Sequence, residues 1–457
     1  MSSPTIDLDH KEISDNLKYL LDHDQLEFVR NILADLHAAD IADLVERLDR
    51  ESRKKIFTLL PSEIASEVLA ELEDAPKEEV LEGMDSAQIA ELVNEMDSDD
   101  ATDVVSELSV EKATEVLSQV EPESSEEIQE LLAYAEDTAG GIMAKEYIAV
   151  NADSTVQEAI EMLRKQREEV EEIYQIYVVD DFGTLVGAVS LKELILADPQ
   201  TYIREIMDEE IIAIDYNIDQ EEVAHIFEKY NLVSAPVVDH RHKLIGRITI
   251  DDVVDVINEE TDEDIARIAG VGEEEILEES ALKIAQARLP WLIISFFGEI
   301  ISAFIMDFYS LTLGQILASA FFIPIVMAMG GSSGQQSAVI VVRGLATGEI
   351  SIKDIRRRLL REIRTSIING IVIAILILTV VTFWQNDVQF GAVLAISLLV
   401  IILNASIFGA IIPFLFKKIN VDPALATGPF VATFNDVIGL LIYFSLLTFA
   451  LKHGVGG

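Results

Sequence analysis

The sequence predicts a multidomain chain: an all-α helical-repeat N-domain, an α/β pair, a connecting helix and a five-helix α transmembrane domain. Three observations predict it. Short amphipathic segments recur through residues 1–135, one strand-and-helix pattern is written twice across 136–262, and five long apolar spans fill 289–457. Charge divides along the same line. The 457 residues carry a formal net charge of −48, from 33 Lys+Arg and 81 Asp+Glu. From 289 onward, ten basic residues face eight acidic ones, so the acidity belongs to the first 288 residues. Such a surface repels phosphate backbones and excludes a nucleic-acid partner. It attracts hard cations that prefer oxygen ligands; solubility is the other use of the same charge. The absence of cysteine excludes disulfides, thiolate metal sites and cysteine nucleophiles. No phosphate-cradling loop, nucleophile–base pair or HExxH motif is present, so an enzyme is not expected.

In the N-domain, DIADLVERLD (40–49), EIASEVLAELED (63–74), QIAELVNEMDSDD (88–100), ATDVVSELSVE (101–111) and KATEVLSQV (112–120) are each helix-length and apolar on one face. None buries its face alone, so they are expected to stack as an array; an ordinary helical bundle is the alternative. The N-terminal stretch MSSPTIDLDHKEISD lacks the basic and apolar regions of a signal peptide.

The duplicated region pairs GIMAKEYIAVNADSTVQEAIEMLRK and IYQIYVVDDFGTLVGAVSLKELI with EIMDEEIIAIDYNIDQEEVAHIFEKY and SAPVVDHRHKLIGRITIDDVVDVI. Each copy reads strand, helix, β-branched strand, turn, strand, helix. Ile142-Met143 and Ile206-Met207 open the copies, and Gly187 and Gly246 hold equivalent late positions. The region resembles a tandem pair of CBS domains, split 136–200 and 201–262. That resemblance implies adenine-nucleotide binding or a purely structural, dimerising role. Gly246, Thr249 and Asp252 match the pattern such domains use on ribose; Ser190 and Glu193 stand there in the first copy.

Residues 263–288 read as a charged connecting helix. The apolar spans lie near 289–311, 314–342, 365–384, 391–416 and 424–451, each near or above the roughly 20 residues a bilayer requires. Arg343, Lys353, Arg356, Arg357, Arg358, Arg361 and Arg364 lie between spans two and three, and Lys417 and Lys418 between four and five. The other two connections carry no basic residue. Basic loops stay in the cytoplasm, which puts the acidic half inside and the C-terminus outside.

Three polar features sit within these spans. Asp436, with Asn435 and Thr433, lies in an otherwise apolar span, where a charge costs roughly 2.5–3.5 kcal/mol or more. Asp436, Thr433, Ala432 and Pro429 share a helical face, and Pro429 is expected to free the Leu425 carbonyl. Together these oxygens suit a hard cation; an interhelical hydrogen bond is the bland reading. GGSSGQQSA (330–338) offers Ser332, Ser333, Gln335 and Gln336 as neutral oxygens, or serves small-residue packing. Asn404 and Ser406 on span four extend this lining. Glu299 in span one is either functional, with proton coupling included, or a protonated carboxyl bonded to a neighbouring helix.

The order of these parts resembles the MgtE family of magnesium channels and transporters over nearly the whole chain. The most specific matches are VDPALATGPFVATFND (421–436), GGSSGQQSA followed by RGLATGEI, and DDVVDVINEETDEDIARIAG. The resemblance implies a homodimer in the cell membrane, with Mg²⁺ as substrate and regulator, lipid around it, and ATP as a candidate ligand of the CBS pair. It implies that Asp436 is the pore carboxylate and that 263–288 is a plug helix. Regulatory Mg²⁺ is carried over to Asp252, Asp255, Glu260, Glu263 and Asp264, and further to Asp219, Glu221, Asp99, Asp103 and Asp422. Physically, clustered carboxylates repel, so the domains splay when cation is scarce and close when it bridges them. Two departures bear on selectivity. Ser332 and Gln335 replace asparagines of the family's span-two motif, and Gly428 stands where some members have Asn. The rivals are transport of Co²⁺, Mn²⁺ or Ca²⁺, and a membrane-anchored metal or nucleotide sensor that transports nothing.

Overall fold

The computed structural model describes residues 10–166, 173–269, 281–346, 350–419 and 421–453. It divides into two compact units, 1–257 and 258–457, each taken here by itself.

The first unit begins with short helices from α1 (His10–Asp22) to α10 (Pro122–Leu131). Their starts are written in the sequence. Asp49 accepts from the Ser52 amide, and Asp85 forms a reciprocal capping box with Gln88, satisfying amides that the first turn leaves without partners. Within the array α3 (Ala38–Glu46) packs on α5 (Ser62–Ala70), α5 on α7 (Ser86–Val93) and α7 on α9 (Val110–Leu117). The buried faces merge into one apolar core from Leu17 to Ile128. The expected stacking is therefore what forms.

Two sheets follow: β1 (Ala149–Asn151), β2 (Gln175–Val179) and β3 (Leu185–Ser190), then β4 (Ile214–Asp215), β5 (Ser234–Val238) and β6 (Leu244–Thr249). In each, the first strand is parallel to the second and the second antiparallel to the third. The hairpin turns are held alike. Asp180 accepts from the Phe182 and Thr184 amides, and Asp239 from those of Arg241 and Lys243. The paired glycines and the Ile-Met openings now explain one another. A Cβ on Gly187 would lie 2.7 Å from the Asp208 carbonyl, and one on Gly246 would lie 2.6 Å from Met143 Sδ. The opening segment of each copy therefore crosses the last strand of the other, closed by bridges Ala188–Asp208 and Ala144–Arg247.

The last helix of the second copy does not stop where the sequence places a domain boundary at 262. It is one helix, α14 (Ile250–Ala269), that carries the chain from one unit into the next. The expected connector is thus the end of α14 followed by the start of α15 (Ala281–Phe308); its middle, 270–280, lies outside the described residues, as do 347–349 of RGLATGEI.

Among its described residues, the second unit contains five helical segments long and apolar enough to cross a membrane: Ile284–Phe308, Leu317–Leu345, Ile355–Gln385, Val388–Lys418 and Pro423–Lys452. They lie on α15, α17 (Ile323–Ala346), α18 (Ile355–Gln385), α19 (Val388–Lys418) and α20 (Gly428–Lys452). α19 is the most enclosed, packing against α17, α18 and α20. The basic run 356–364 is not a loop. It forms the first turns of α18, whose 31 residues span about 46 Å, beyond a hydrocarbon core of roughly 30 Å. Arg358 pairs with the buried Glu362, which also accepts from Ser337 Oγ at 2.8 Å. That glutamate, held by Arg358, ties α18 to α17.

Candidate metal and ion-pathway sites

The acidic residues of the first unit converge where two helices begin. α8 (Ser98–Ser106) has Asp99 and Asp100 in its first turn, and α14 has Asp251 and Asp252 in its own. Carboxylates favour these positions because helix N-termini carry partial positive charge. Ser98 is held from the other side: its amide and hydroxyl both donate to Glu146, at 3.0 and 2.8 Å. Oxygens of Asp97, Asp99 and Glu146 lie within 4.8 Å of one another.

The crowding is visible in the proton affinities. Burial first, then the charges of Asp252, Asp100, Asp97 and Glu146, hold the Asp99 carboxyl well above the usual carboxylate range. Loss of water, then Asp252, Asp103 and Asp97, push Asp100 up to about 7 against the opposing Lys77. Burial raises Asp252 to about 6, although Thr249 donates to it from both backbone and hydroxyl, at 3.0 and 2.8 Å. Asp255 is raised by burial and Asp251, and Glu71 by burial and Asp255. Like charges this close do not all ionise without a counter-charge. Asp99, Asp103, Asp252 and Asp255 thus fall in the acidic region the sequence assigns them. Asp97, Asp100, Glu146, Glu71 and Asp251 belong there too. Glu146 sits in a loop with no acidic neighbour in sequence, so only the fold brings it in.

Other assignments take a different form. Asp219 is the N-cap of α13 (Gln220–Tyr230), accepting from the Glu221 amide at 3.0 Å; a capping role is what the structure gives it. Thr249 and Asp252, expected on ribose, bond to each other at the start of α14, and Gly246 is backed by Met143. Their hydroxyl and carboxylate lie side by side, the donor and acceptor set a ribose needs.

In the second unit the far end of α14 meets the start of span five. Arg267 pairs with both Glu263 and Asp422. Asp422 also caps the turn Pro423–Ala426, accepting from the Ala424 amide at 2.7 Å. Burial, then Asp422 and Glu260, raise Asp264 to about 6. Glu260, Glu263, Asp264 and Asp422 therefore lie near one another, with Arg267 among them as an unforeseen internal cation. Gly428 lies under the same helix end: it adopts φ +50°, and a Cβ there would lie 2.6 Å from the Ile268 carbonyl.

Deeper in the span, Asp436 is half-buried on α20, and its Oδ1 lies over Gly331 of α17, 3.9 Å from where a Cβ would stand. Gln335, one turn on from Gly331, shares that face, and Ser332, Gln335 and Gln336 are exposed on the single chain. Glu299 of α15 is exposed as well. Thr433 seats its methyl on Gly298, where a Cβ would lie 1.7 Å away. Asn404 is half-buried on α19.

Three readings need correction. Asn435, grouped with Asp436 and Thr433 as an ion ligand, points elsewhere. It is 2 % exposed and turned toward Gly334 of α17, and neither side-chain polar atom has a partner among the described residues. Ser333 bonds to Ser406 Oγ at 2.7 Å, joining α17 to α19 rather than lining a path. Pro429 lies in the first turn of α20, where a helix start leaves the amide without a partner in any case, so it breaks no bond within α20.

A membrane domain with an oxygen-lined face on apolar helices, joined to acidic domains, defines the class of membrane cation transporters. Comparison with known proteins agrees. Family models match as a divalent cation transporter over residues 323–446, the MgtE intracellular N domain over 36–137, and CBS domains over 139–199 and 203–259. The magnesium transporter MgtE of Thermus thermophilus is 36% identical over 97% of this chain and 99% of its own. That of Bacillus subtilis is 39% identical over 70% and 71%. The solved cytosolic domain of the Mg²⁺ channel MgtE in complex with ATP is 35% identical, with a TM-score of 0.51, covering 53% of this chain and 99% of that one. The chain belongs to the MgtE family, whose members are multi-pass transporters and not enzymes.

Proposed function

We propose that this chain is a homodimeric Mg²⁺ channel, closed by Mg²⁺ that its acidic clusters bind on the cytoplasmic side. The observation that carries the transport reading is the row of polar groups, Asp436, Glu299, Ser332 and Gln335, left open on helices that are otherwise apolar. Lipid does not tolerate them, so a second copy and a water-filled path cover that face. Mg²⁺ dehydrates reluctantly and keeps several waters while contacting one or two carboxylates. Facing Asp436 residues across a dimer axis suit such an ion. An anchor without transport needs none of these groups.

Sensing rests on the carboxylates around Asp99, Asp100 and Asp252, and around Glu260, Asp264 and Asp422, whose crowding a divalent cation relieves. The placement of basic residues puts these domains in the cytoplasm and the C-terminus outside. An adenine nucleotide is a second ligand, supported by the ATP bound to the solved relative and by the adjacent Thr249 and Asp252 oxygens. Because Asp252 also belongs to the acidic cluster, nucleotide and cation are expected to influence one another.

The test is uptake into liposomes. Asp436→Ala is expected to abolish Mg²⁺ influx while the protein stays folded; wild-type flux in that variant removes the pore assignment. Running the assay with Co²⁺, Mn²⁺ and Ca²⁺ decides how Ser332 and Gln335 bear on the ion.

A further inference from the structure

One face of α18 changes character part-way along the helix. At 100° per residue, Arg357, Arg361, Arg364, Ile368, Ile371 and Ile375 fall within an arc of about 80°, and all six are exposed. The first three are cations and the last three aliphatic. Arg358 and Glu362 point the other way, into the ion pair that bonds to Ser337. Among the described residues none of the three exposed arginines forms an ion pair, in a chain that holds 81 Asp+Glu. Asp354, the carboxylate nearest to Arg357 in sequence, accepts from the Ser351 amide and hydroxyl, at 3.0 and 2.7 Å.

The change falls at the depth a bilayer dictates. From Ile367 to Gln385 the helix rises about 28 Å, close to the roughly 30 Å of a hydrocarbon core. The whole of α18, about 46 Å, compares with roughly 40–45 Å once both headgroup regions are included. The arginine turns thus stand at headgroup depth, and the isoleucines below them face the acyl chains.

We propose that this stripe binds an anionic phospholipid, its phosphate held by the Arg357, Arg361 and Arg364 guanidinium groups and its acyl chains lying on Ile368, Ile371 and Ile375. Guanidinium forks match phosphate oxygens in pairs, and each cation near an anionic leaflet adds to the attraction. Membrane orientation alone does not require the stripe, because it depends on how many basic residues a connection carries and not on the helix face that bears them. A second copy of the chain does not suit this face either, since a two-fold contact centred on the stripe sets arginines against arginines. The proposal is independent of which ion the chain carries.

The experiment is native mass spectrometry of the full-length protein from detergent micelles holding equal amounts of phosphatidylglycerol and phosphatidylcholine, for the wild type, Arg361→Gln and Arg356→Gln. The wild type is expected to retain phosphatidylglycerol in preference to phosphatidylcholine. Arg361→Gln is expected to lower that preference about fivefold, the contribution of one cation near an anionic surface. Arg356→Gln removes the same charge about 100° round the helix from the stripe and is expected to leave the preference unchanged. Excess inorganic phosphate is expected not to displace the bound lipid, because the isoleucines hold its chains. Equal retention of the two lipids by the wild type overturns the proposal. Equal losses in the two variants overturn it as well, because net charge and not the stripe then attracts the lipid. Displacement by phosphate overturns it too, since the ligand is then the anion alone.

Discussion

Gly428 shows how much one backbone angle carries. Its φ of +50° is open to glycine, whereas most other residues lose roughly 1–2 kcal/mol there. The missing Cβ also lets the Ile268 carbonyl approach, so the end of α14 sits directly on the start of α20. Gly428→Ala is expected to unseat that contact. In flux measurements the variant should keep conducting at Mg²⁺ levels that close the wild type; unchanged closure removes the contact from the gating account. Arg267 acts at the same place. Its ion pairs with Glu263 and Asp422 occupy oxygens that a bound Mg²⁺ would take. Arg267→Gln is expected to raise the apparent Mg²⁺ affinity for closure, and weaker or unchanged affinity contradicts that role. Residue by residue, the sequence exposed Asp436 and Asp422 because each stands out against apolar or proline-bearing surroundings. It misled at Asn435 and Pro429, where the helix start and a rotation of about 100° per residue decide which way an atom points.

At the scale of elements, the helix N-termini of α8 and α14 determine the chemistry of the first unit. Each starts with adjacent aspartates, and the fold brings them together. Asp100 near 7 and Asp252 near 6 hold protons in the folded chain that an unfolded chain, with carboxyls near 3.9, has released by pH 5. The folded state therefore binds more protons between about pH 4 and pH 7, and its stability falls as pH rises through that window. In chelator, the melting temperature of the detergent-purified protein should fall between pH 5 and pH 8. Saturating Mg²⁺ should restore more at pH 8 than at pH 5, since it binds the ionised form. A melting temperature independent of pH in chelator contradicts the crowded cluster. Repeats, the duplicated strands and the spans were legible because their periodicities are local. The continuity of α14 was not, since the boundary at 262 was set by the end of the duplicated pattern, and a repeat can end inside a helix. Nor was the joining of Ser333 to Ser406, which depends on how α17 crosses α19 at Gly334 and Gly409.

For the whole molecule, the division of charge is the main clue to function. A net −48 concentrated before residue 289, beside spans that are close to neutral, separates a part that attracts cations from a part that passes them. Both draw on oxygen chemistry, so in the function we propose one ion serves as cargo and as signal. The most direct test is Mg²⁺ influx into liposomes holding the full-length protein in one orientation, with Mg²⁺ on the side of the acidic domains varied independently. Influx that falls as Mg²⁺ rises on that side is the predicted result. Influx that ignores it, or its absence from correctly inserted protein, contradicts the account.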